Sequence, residues 1–377
     1  MTVQLTEFPT VPTTGTGHIA YGPNNEIYVE RIVNNNAVLY VSTNNGMTFT
    51  PALTVNQFVT NGTRVGFADL CVDASGRVYI VYDEYIAGGG LPDNLWLRIY
   101  ENGALSAPEL IDSQFLAAGA AFRIPRVDID SVGNLHVVYR KYLSGVAGHI
   151  YHRRRTPAGV WGAITQLTNY ATAGSLDGPD AMAIGAGDSI HVIASESVSY
   201  QPDYIYFSGG VWQTRTLGSP GCYGGVGCVD ASGVFHYAYY DSLRQLYVVD
   251  DRYEVIGDPV LINYDLAVDG AGLLYLVGTT QAIDPLSGFS RDIMYVATLP
   301  GDKAPVLRSA YDGIDLNYSD KVNSLTPARS IPASGCHLLV ELNNLVGGAD
   351  MAGLWKFIPD AVNLAPAVTT LPATEVK

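Results

Sequence analysis

The stretch LCVDASG at Leu70–Gly76 occurs a second time as GCVDASG at Gly227–Gly233, with only the first residue changed. Each copy continues into an apolar, aromatic run, RVYIVYDEY from Arg77 and VFHYAYYDS from Val234. The aspartate can accept hydrogen bonds from the backbone two residues further on, and the glycine permits a positive φ. Each copy therefore predicts a strand, a tight turn and a second strand.

Five weaker copies extend the repeat along the chain. They begin at Ile19, Val127, Met182, Ala267 and Arg329. Every copy has a tyrosine or histidine inside its second strand, and we call these residues the anchors: Tyr28, Tyr79, His136, His191, His236, Tyr275 and His337. A second apolar hairpin follows most anchors, so each repeat predicts four antiparallel strands.

The anchors are about 50 residues apart on average, a period typical of propeller blades. The sequence therefore predicts an all-β protein: a seven-bladed β-propeller of four-stranded antiparallel blades, with residues 1–377 as a single domain. We expect the N-terminal strand at residues 2–8 to close the last blade. Residues from about 300 to 323 are expected to form an inserted loop. Six or eight blades stay open as alternatives, because the spacing of the anchors is uneven.

Composition excludes several classes of partner. The 377 residues carry 21 Lys and Arg against 36 Asp and Glu, a net charge of −15. Such an acidic field repels phosphate backbones, so we expect no nucleic-acid partner. The start, MTVQLTEFP, shows no signal peptide, and no apolar run is long enough for membrane insertion. The four cysteines lack metal-ligand spacing; we expect buried thiols, with a Cys222–Cys228 bridge left open.

One hairpin turn resembles a known family motif. Ser42–Phe49, STNNGMTF, resembles the Asp-box (BNR) repeat of the sialidase-like β-propeller superfamily, with asparagine for aspartate and phenylalanine for tryptophan. In that family the motif is structural, and the resemblance implies the same role here. Phe122–Pro125, FRIP, looks like the sialidase segment that carries a carboxylate-binding arginine, which implies a ligand-binding role for Arg123. The predicted structural turn residues are Ser42, Asn44, Gly46, Thr48, Phe49, Asp73, Asp130, Asp230 and Asp269.

Charged residues recur where the second strand of each unit ends, in a chain with few charges overall. In an antiparallel blade this end adjoins the start of the inner strand, so both sets should surround one mouth of the central channel. A concave polar mouth is the default ligand site. The predicted ligand-binding residues are Arg64, Asp83, Glu84, Arg123, Arg126, Arg140, Glu196, Tyr223, Asp241 and Tyr264. His18 lies at the start of the first inner strand and is a further candidate to face the channel.

No nucleophile elbow, phosphate-binding loop, dinucleotide fingerprint or zinc-protease helix occurs. We therefore predict no catalytic residue, no metal ligand and no cofactor. The sequence favours a non-catalytic recognition or assembly propeller, a glycan- or protein-binding module of a virion (phage tail or capsid) or extracellular structure. The alternative is a glycan-active enzyme, either a sialidase-like glycoside hydrolase or a propeller polysaccharide lyase, with His18, Tyr223, Arg123 and Arg126 as candidates. A pure scaffold is the third hypothesis.

Overall fold

A computed structural model describes residues 2–7, 17–44, 46–50, 53–56, 63–86, 93–114, 122–141, 148–170, 176–196, 201–230, 232–240, 246–249, 253–256, 261–268, 274–283, 290–299, 320–327, 336–344 and 351–358. Side chains are described within these ranges from 17 to 239, except 63, 86, 114, 122, 123, 176, 177, 196 and 223, and for 265, 266, 268 and 274. The predicted Asp269 turn and most of the predicted inserted loop lie outside these residues.

The described strands form seven antiparallel sheets, I to VII, and the first strand of the chain is β1 (Thr2–Glu7). Sheet I contains β2 (His18–Tyr21), β3 (Ile27–Val33), β4 (Asn36–Ser42) and β5 (Leu53–Thr54). Sheet II contains β6 (Thr63–Arg64), β7 (Ala68–Val72), β8 (Val78–Ile86), β9 (Asp93–Glu101), β10 (Ala104–Leu105) and β11 (Glu109–Gln114). Sheet III contains β12 (Phe122–Ile129), β13 (Leu135–Lys141), β14 (His149–Arg155) and β15 (Thr165–Gln166).

Sheet IV contains β16 (Leu176–Ile184), β17 (Ile190–Glu196), β18 (Gln201–Ser208) and β19 (Val211–Thr216), with a 3-10 turn at Ala186–Asp188 between its first two strands. Sheet V contains β20 (Tyr223–Val229), β21 (Phe235–Tyr240), β22 (Leu246–Val249) and β23 (Tyr253–Ile256). Sheet VI contains β24 (Leu261–Val268), β25 (Leu274–Ile283) and β26 (Ser290–Leu299). Sheet VII contains β27 (Asp320–Pro327), β28 (Cys336–Asn344), β29 (Met351–Ile358) and β1. The prediction of an all-β chain with four-stranded antiparallel sheets is confirmed for sheets I, III, IV, V and VII, whereas sheet II has six described strands and sheet VI three.

The first strands of the seven sheets lie side by side and form a closed ring. Strand β2 contacts β7, β7 contacts β12, and the contacts continue through β16, β20, β24 and β27 back to β2. In sheet VII, β1 pairs with β29, so strands from both ends of the chain are hydrogen-bonded neighbours. Strand β27 begins at Asp320, so the last four residues of the segment expected to be an inserted loop belong to a strand.

The core lies between neighbouring sheets rather than on one face of each sheet. All seven residues of β3 are buried. Tyr28 and Ile32 pack in the same cluster as Ile80 of sheet II, whereas Ile27 and Val29 belong to a separate cluster on the opposite face. Strands covered on both sides need apolar side chains at successive positions. This requirement explains why the sequence shows high hydrophobicity without clean alternation.

The aspartate turns are tied to the anchors six residues further on. Tyr79 donates to Asp73 at 3.1 Å, and Nε2 of His136 lies 3.2 Å from Oδ2 of Asp130. His236 makes the same contact with Asp230 at 3.0 Å. Burial alone would raise the pKa of Asp130, but hydrogen bonds from Asn134 and His136 hold the pKa below its usual value. Each of these three anchors therefore fastens its strand to the turn that precedes it.

The Ser42–Phe49 turn is held by its own side chains. Ser42 Oγ accepts from the Gly46 N–H at 2.9 Å and donates to Oδ1 of Asn44 at 2.9 Å. Asn44 Oδ1 also accepts from the Thr48 N–H, and its amide donates to the Thr48 hydroxyl. Gly46 has φ of 81°, a conformation that glycine adopts without strain.

Candidate functional site

The antiparallel register places the start of the first strand of a sheet opposite the end of its second strand. His18 pairs with Glu30, Arg123 with Arg140, and Tyr223 with Tyr240. We call this end of the sheets the mouth. It is opposite the end that carries the aspartate turns.

Most first strands are bulged near the mouth. In β12 the register shifts between Arg123 and Arg126, and Ile124 between them has φ of 54°, an unusual conformation for a β-branched residue. Comparable shifts occur in β16, β20, β24 and β27. Bulges redirect side chains and are frequent beside functional sites. The mouth is therefore where the regular sheet pattern is interrupted.

Four polar residues from the first strands of sheets I to IV converge at the mouth, and we call them the channel cluster: His18, Asp69, Arg126 and Asp180. Nδ1 of His18 lies 3.3 Å from Oδ1 of Asp69, and its Nε2 lies 3.3 Å from Nη1 of Arg126. Arg126 also donates through Nε and Nη2 to the carbonyl of Asp180, at 3.0 and 2.9 Å. One guanidinium thus connects sheets I and IV.

Asp69 is the most enclosed member of the channel cluster, with 1% of its side chain exposed. Oδ1 accepts from the Leu70 N–H at 2.9 Å, and Oδ2 accepts from the Val127 N–H of sheet III at 3.0 Å. Backbone N–H groups stabilise a buried carboxylate in its charged form. Asp69 therefore joins sheets II and III while it faces the imidazole of sheet I.

The carboxylate of Asp180 is held from its own sheet. Ser195 of β17 donates to Oδ2 of Asp180 at 2.5 Å. Gly225 of sheet V lies close by, because a Cβ built on it would be 3.8 Å from the same oxygen. The cluster thus combines an imidazole, a guanidinium and two carboxylates, and Ser195 places a hydroxyl beside it. Such groups can donate to and accept from sugar hydroxyls and can move protons.

The structure places the predicted ligand residues in three environments. Arg126 belongs to the channel cluster, and Arg64 is exposed on β6. Asp83, Glu84 and Arg140 are buried, with 2%, 5% and 6% exposure. Asp83 accepts hydrogen bonds from the N–H groups of residues 66 and 67, where the first strand of sheet II is interrupted. Its contacts therefore support the local backbone.

For the remaining predicted ligand residues the structure gives strand positions only. Arg123, Glu196, Tyr223 and Tyr264 lie in β12, β17, β20 and β24, and their side chains are outside the described part. Asp241 is outside the described residues altogether.

The ten predicted ligand residues did not include His18, Asp69 or Asp180. Of these three, only His18, at the start of a first strand, was predicted as a candidate to face the channel, and nothing in a single sequence showed that the three residues meet. The useful signal was a polar residue at that position in four successive units, in a chain with few charges.

Ser189, His191 and Tyr204 form a second polar group at the turn end of sheet IV. Nε2 of His191 lies 2.8 Å from Ser189 Oγ, and its Nδ1 lies 2.6 Å from the Tyr204 hydroxyl. Ser189 donates its own proton to the carbonyl of Ala186 at 3.0 Å. Its hydroxyl therefore accepts from the imidazole, and the group links strands rather than activating a nucleophile.

Three further observations on the described residues concern the cysteines, metal sites and membrane-spanning helices. Cys222 and Cys228 are buried thiols, as is Cys71, so the first two do not form a bridge with each other. No group of three or more His, Cys, Asp or Glu side chains able to hold a metal ion occurs among these residues. No helix among them is long and apolar enough to cross a membrane.

The sequence matches no protein-family model and no curated protein. Solved structures do resemble the fold. The α-L-arabinanase of Penicillium chrysogenum in complex with arabinobiose has a TM-score of 0.50 at 11% identity, and the match covers 78% of this chain and 98% of that one. The α-L-arabinofuranosidase of Fusarium graminearum with an iminosugar inhibitor has a TM-score of 0.50 at 10% identity, with 77% and 97% covered.

A protein of unknown function from Dyadobacter fermentans has a TM-score of 0.51 at 10% identity, and the match covers 94% of this chain and 99% of that one. These likenesses concern the fold. The chain has the β-propeller fold, which it shares with arabinose-active glycoside hydrolases. The fold-level part of the resemblance expected from the sequence is therefore confirmed, through arabinose-active propeller hydrolases. The relationship of the Ser42–Phe49 turn to the Asp-box stays a prediction.

Proposed function

We propose that the chain is a glycan-active β-propeller enzyme that binds an oligosaccharide at the mouth and cleaves it there. The observation that carries this proposal is the convergence of His18, Asp69, Arg126 and Asp180 from four successive sheets. The seven sheets support a seven-bladed propeller in a single domain over residues 1–377.

The chemistry of the channel cluster suits glycan cleavage. His18 and Asp180 can transfer protons, and the Arg126 guanidinium can stabilise negative charge that develops on an oxygen. Their placement on strands rather than on loops gives the groups a rigid support. The two arabinose-active neighbours, one bound to arabinobiose and one to an iminosugar, support a glycan as the ligand class.

The test is incubation of the purified chain with a polysaccharide panel that includes arabinan, other neutral glycans and uronate-containing glycans. Retention and newly formed oligosaccharides are recorded separately. We expect products from at least one glycan, and we expect His18→Gln to abolish them and Arg126→Gln to reduce them. Arg154→Gln is the matched control, because Arg154 is exposed on β14 and is not part of the mouth. Absence of products from every glycan would contradict the enzymatic proposal.

A second candidate is a non-catalytic recognition propeller, a glycan- or protein-binding module of an extracellular structure or a virion. One observation favours it: the groups of the channel cluster contact one another. The Arg126 guanidinium already contacts Nε2 of His18. This candidate predicts retention of a glycan without products. Retention should then fall in Arg126→Gln and persist in Arg154→Gln.

A further inference from the structure

Both ring nitrogens of His18 face a charged group. Nδ1 lies 3.3 Å from a carboxylate oxygen of Asp69, and Nε2 lies 3.3 Å from a guanidinium nitrogen of Arg126. An ionised carboxylate only accepts hydrogen bonds, and a guanidinium only donates them. Both contacts therefore require the same tautomer of a neutral imidazole, with the proton on Nδ1 and a lone pair on Nε2.

Asp69 is fixed independently of the imidazole. Its two oxygens accept from the N–H groups of Leu70 and Val127, which belong to two different sheets. These contacts set the orientation of the carboxylate, and the structure places Nδ1 of His18 3.3 Å from it. The opposite edge of the ring, with Nε2, then faces Arg126 at the mouth.

We propose that Asp69 is a positioning residue that holds His18 in the Nδ1–H tautomer, so that Nε2 is the acceptor for a sugar hydroxyl. In the ligand-free protein the guanidinium of Arg126 occupies this acceptor, and a bound sugar hydroxyl takes its place. If the hydroxyl proton moves to Nε2, the electron pair of the O–H bond stays on the sugar oxygen, where the Arg126 guanidinium can stabilise the negative charge. The imidazolium that forms keeps its Nδ1–H directed at Asp69, which stabilises the positive charge. The role of the sugar rests on the proposed function, whereas the tautomer does not.

The tautomer is measured directly by long-range ¹H–¹⁵N NMR on the whole chain labelled with ¹⁵N-histidine, with the His18 signals assigned by their loss in His18→Gln. We expect a pyrrole-type shift for Nδ1 and a pyridine-type shift for Nε2. The reverse pattern would overturn the proposal without any variant of Asp69 being needed. In Asp69→Asn, we expect a mixture of tautomers, because the amide can present either a donor or an acceptor to the ring.

Kinetics provide the second readout once a cleaved glycan is known. Asp69→Asn should lower kcat by about 10-fold or more with little change in KM, since a positioning residue acts through the base and not on the substrate. Arg126→Gln should instead raise KM. An unchanged tautomer and an unchanged kcat in a folded Asp69→Asn variant would refute the positioning role. Failure to bind any glycan would refute the proposed function and leave the NMR result to decide the role of Asp69.

Discussion

Arg126 of β12 contacts Nε2 of His18 of β2 at 3.3 Å, although 108 positions separate the two residues and they belong to sheets I and III. The same guanidinium reaches the carbonyl of Asp180 in sheet IV. A single side chain therefore spans the mouth between sheets that are not neighbours. Its removal should affect the stability of the ring as well as any ligand that binds there.

This contact predicts energetic coupling between His18 and Arg126. In a double-mutant cycle of His18→Gln and Arg126→Gln, the changes in the free energy of unfolding should differ from additivity by about 0.5–3 kcal/mol. Urea denaturation followed by circular dichroism measures each variant. Pairing Arg126→Gln with the distant Ser42→Ala gives the control cycle, for which we expect additivity. Additive energies for the His18 pair would mean that the contact contributes nothing to stability.

The anchor contacts predict a cost for Asp130→Asn. Asp130 accepts from the N–H and side-chain amide of Asn134, each at 2.7 Å, and from His136. An amide cannot accept all of these hydrogen bonds, so the substitution should lower the free energy of unfolding of the protein by about 1–3 kcal/mol. Glu101→Gln is the control, since Glu101 is exposed at the end of β9. Equal midpoints for the two variants in thermal melts would be inconsistent with the anchoring role.

The turn at Ser42–Phe49 predicts different outcomes for two substitutions. Ser42→Ala removes the hydroxyl that accepts from Gly46 and donates to Asn44, and should cost about 1–2 kcal/mol. Asn44→Asp keeps the acceptor for the Thr48 N–H, and the Thr48 hydroxyl can then donate to the carboxylate, so stability should change little. Chemical denaturation compares both with Thr43→Ala, an exposed neighbour. A larger loss in Asn44→Asp than in Ser42→Ala would contradict this description.

Local features of the fold could be predicted from the sequence because they depend on neighbouring residues. The aspartate and glycine of each D-x-x-G turn act within a few positions, and the anchor that completes the contact is six residues away. The strand pairs therefore followed from the repeat. The same reasoning identified the mouth, because antiparallel pairing brings two strand ends together.

The channel cluster could not be predicted in the same way. Asp69 accepts from Val127, 58 positions further on, and Arg126 reaches Asp180 from the next sheet. Which side chain points into the channel depends on bulges near the mouth, and one extra residue reverses the facing of every side chain beyond it. Asp83 likewise depends on an interruption of a first strand, since its carboxylate accepts from backbone N–H groups there.

The buried histidines predict a loss of stability in mild acid. Burial lowers the pKa of His152 to about 3, with His136 and Arg154 adding to the effect, and burial lowers the pKa of His191 to about 4. In the unfolded chain both should titrate near 6.5. The unfolded state therefore binds more protons than the folded state below about pH 6.5. Stability falls as the pH drops from there toward the pKa values that the two histidines have in the folded protein.

Each of these two groups can contribute up to about 1.4 kcal/mol per pH unit in this range. Melting temperatures between pH 7 and 4.5 test the prediction. His152→Gln keeps a donor for the contact with His136 but does not titrate, so its melting temperature should depend less on pH. Identical pH dependence in the wild type and this variant would show that His152 does not titrate on unfolding.

Close packing beside Asp180 predicts that Gly225→Ala is destabilising for a steric reason. A Cβ at position 225 would lie 1.9 Å from Cγ2 of Ile193, which is fully buried. We expect a cost of about 1–3 kcal/mol in the free energy of unfolding. Ile193→Ala alone should cost about 2–5 kcal/mol through the cavity that it leaves.

The two substitutions together distinguish a clash from a backbone effect. If the methyl group collides with Ile193, Gly225→Ala should cost much less in the Ile193→Ala background, because the new cavity accepts it. Gly225 is not among the glycines with positive φ, so alanine should be tolerated there once space exists. Urea denaturation of the four proteins gives the coupling energy, and full additivity would argue against the clash. The double variant carries a methyl group beside Asp180. Reduced glycan retention by the folded double variant would further support a ligand site at the mouth.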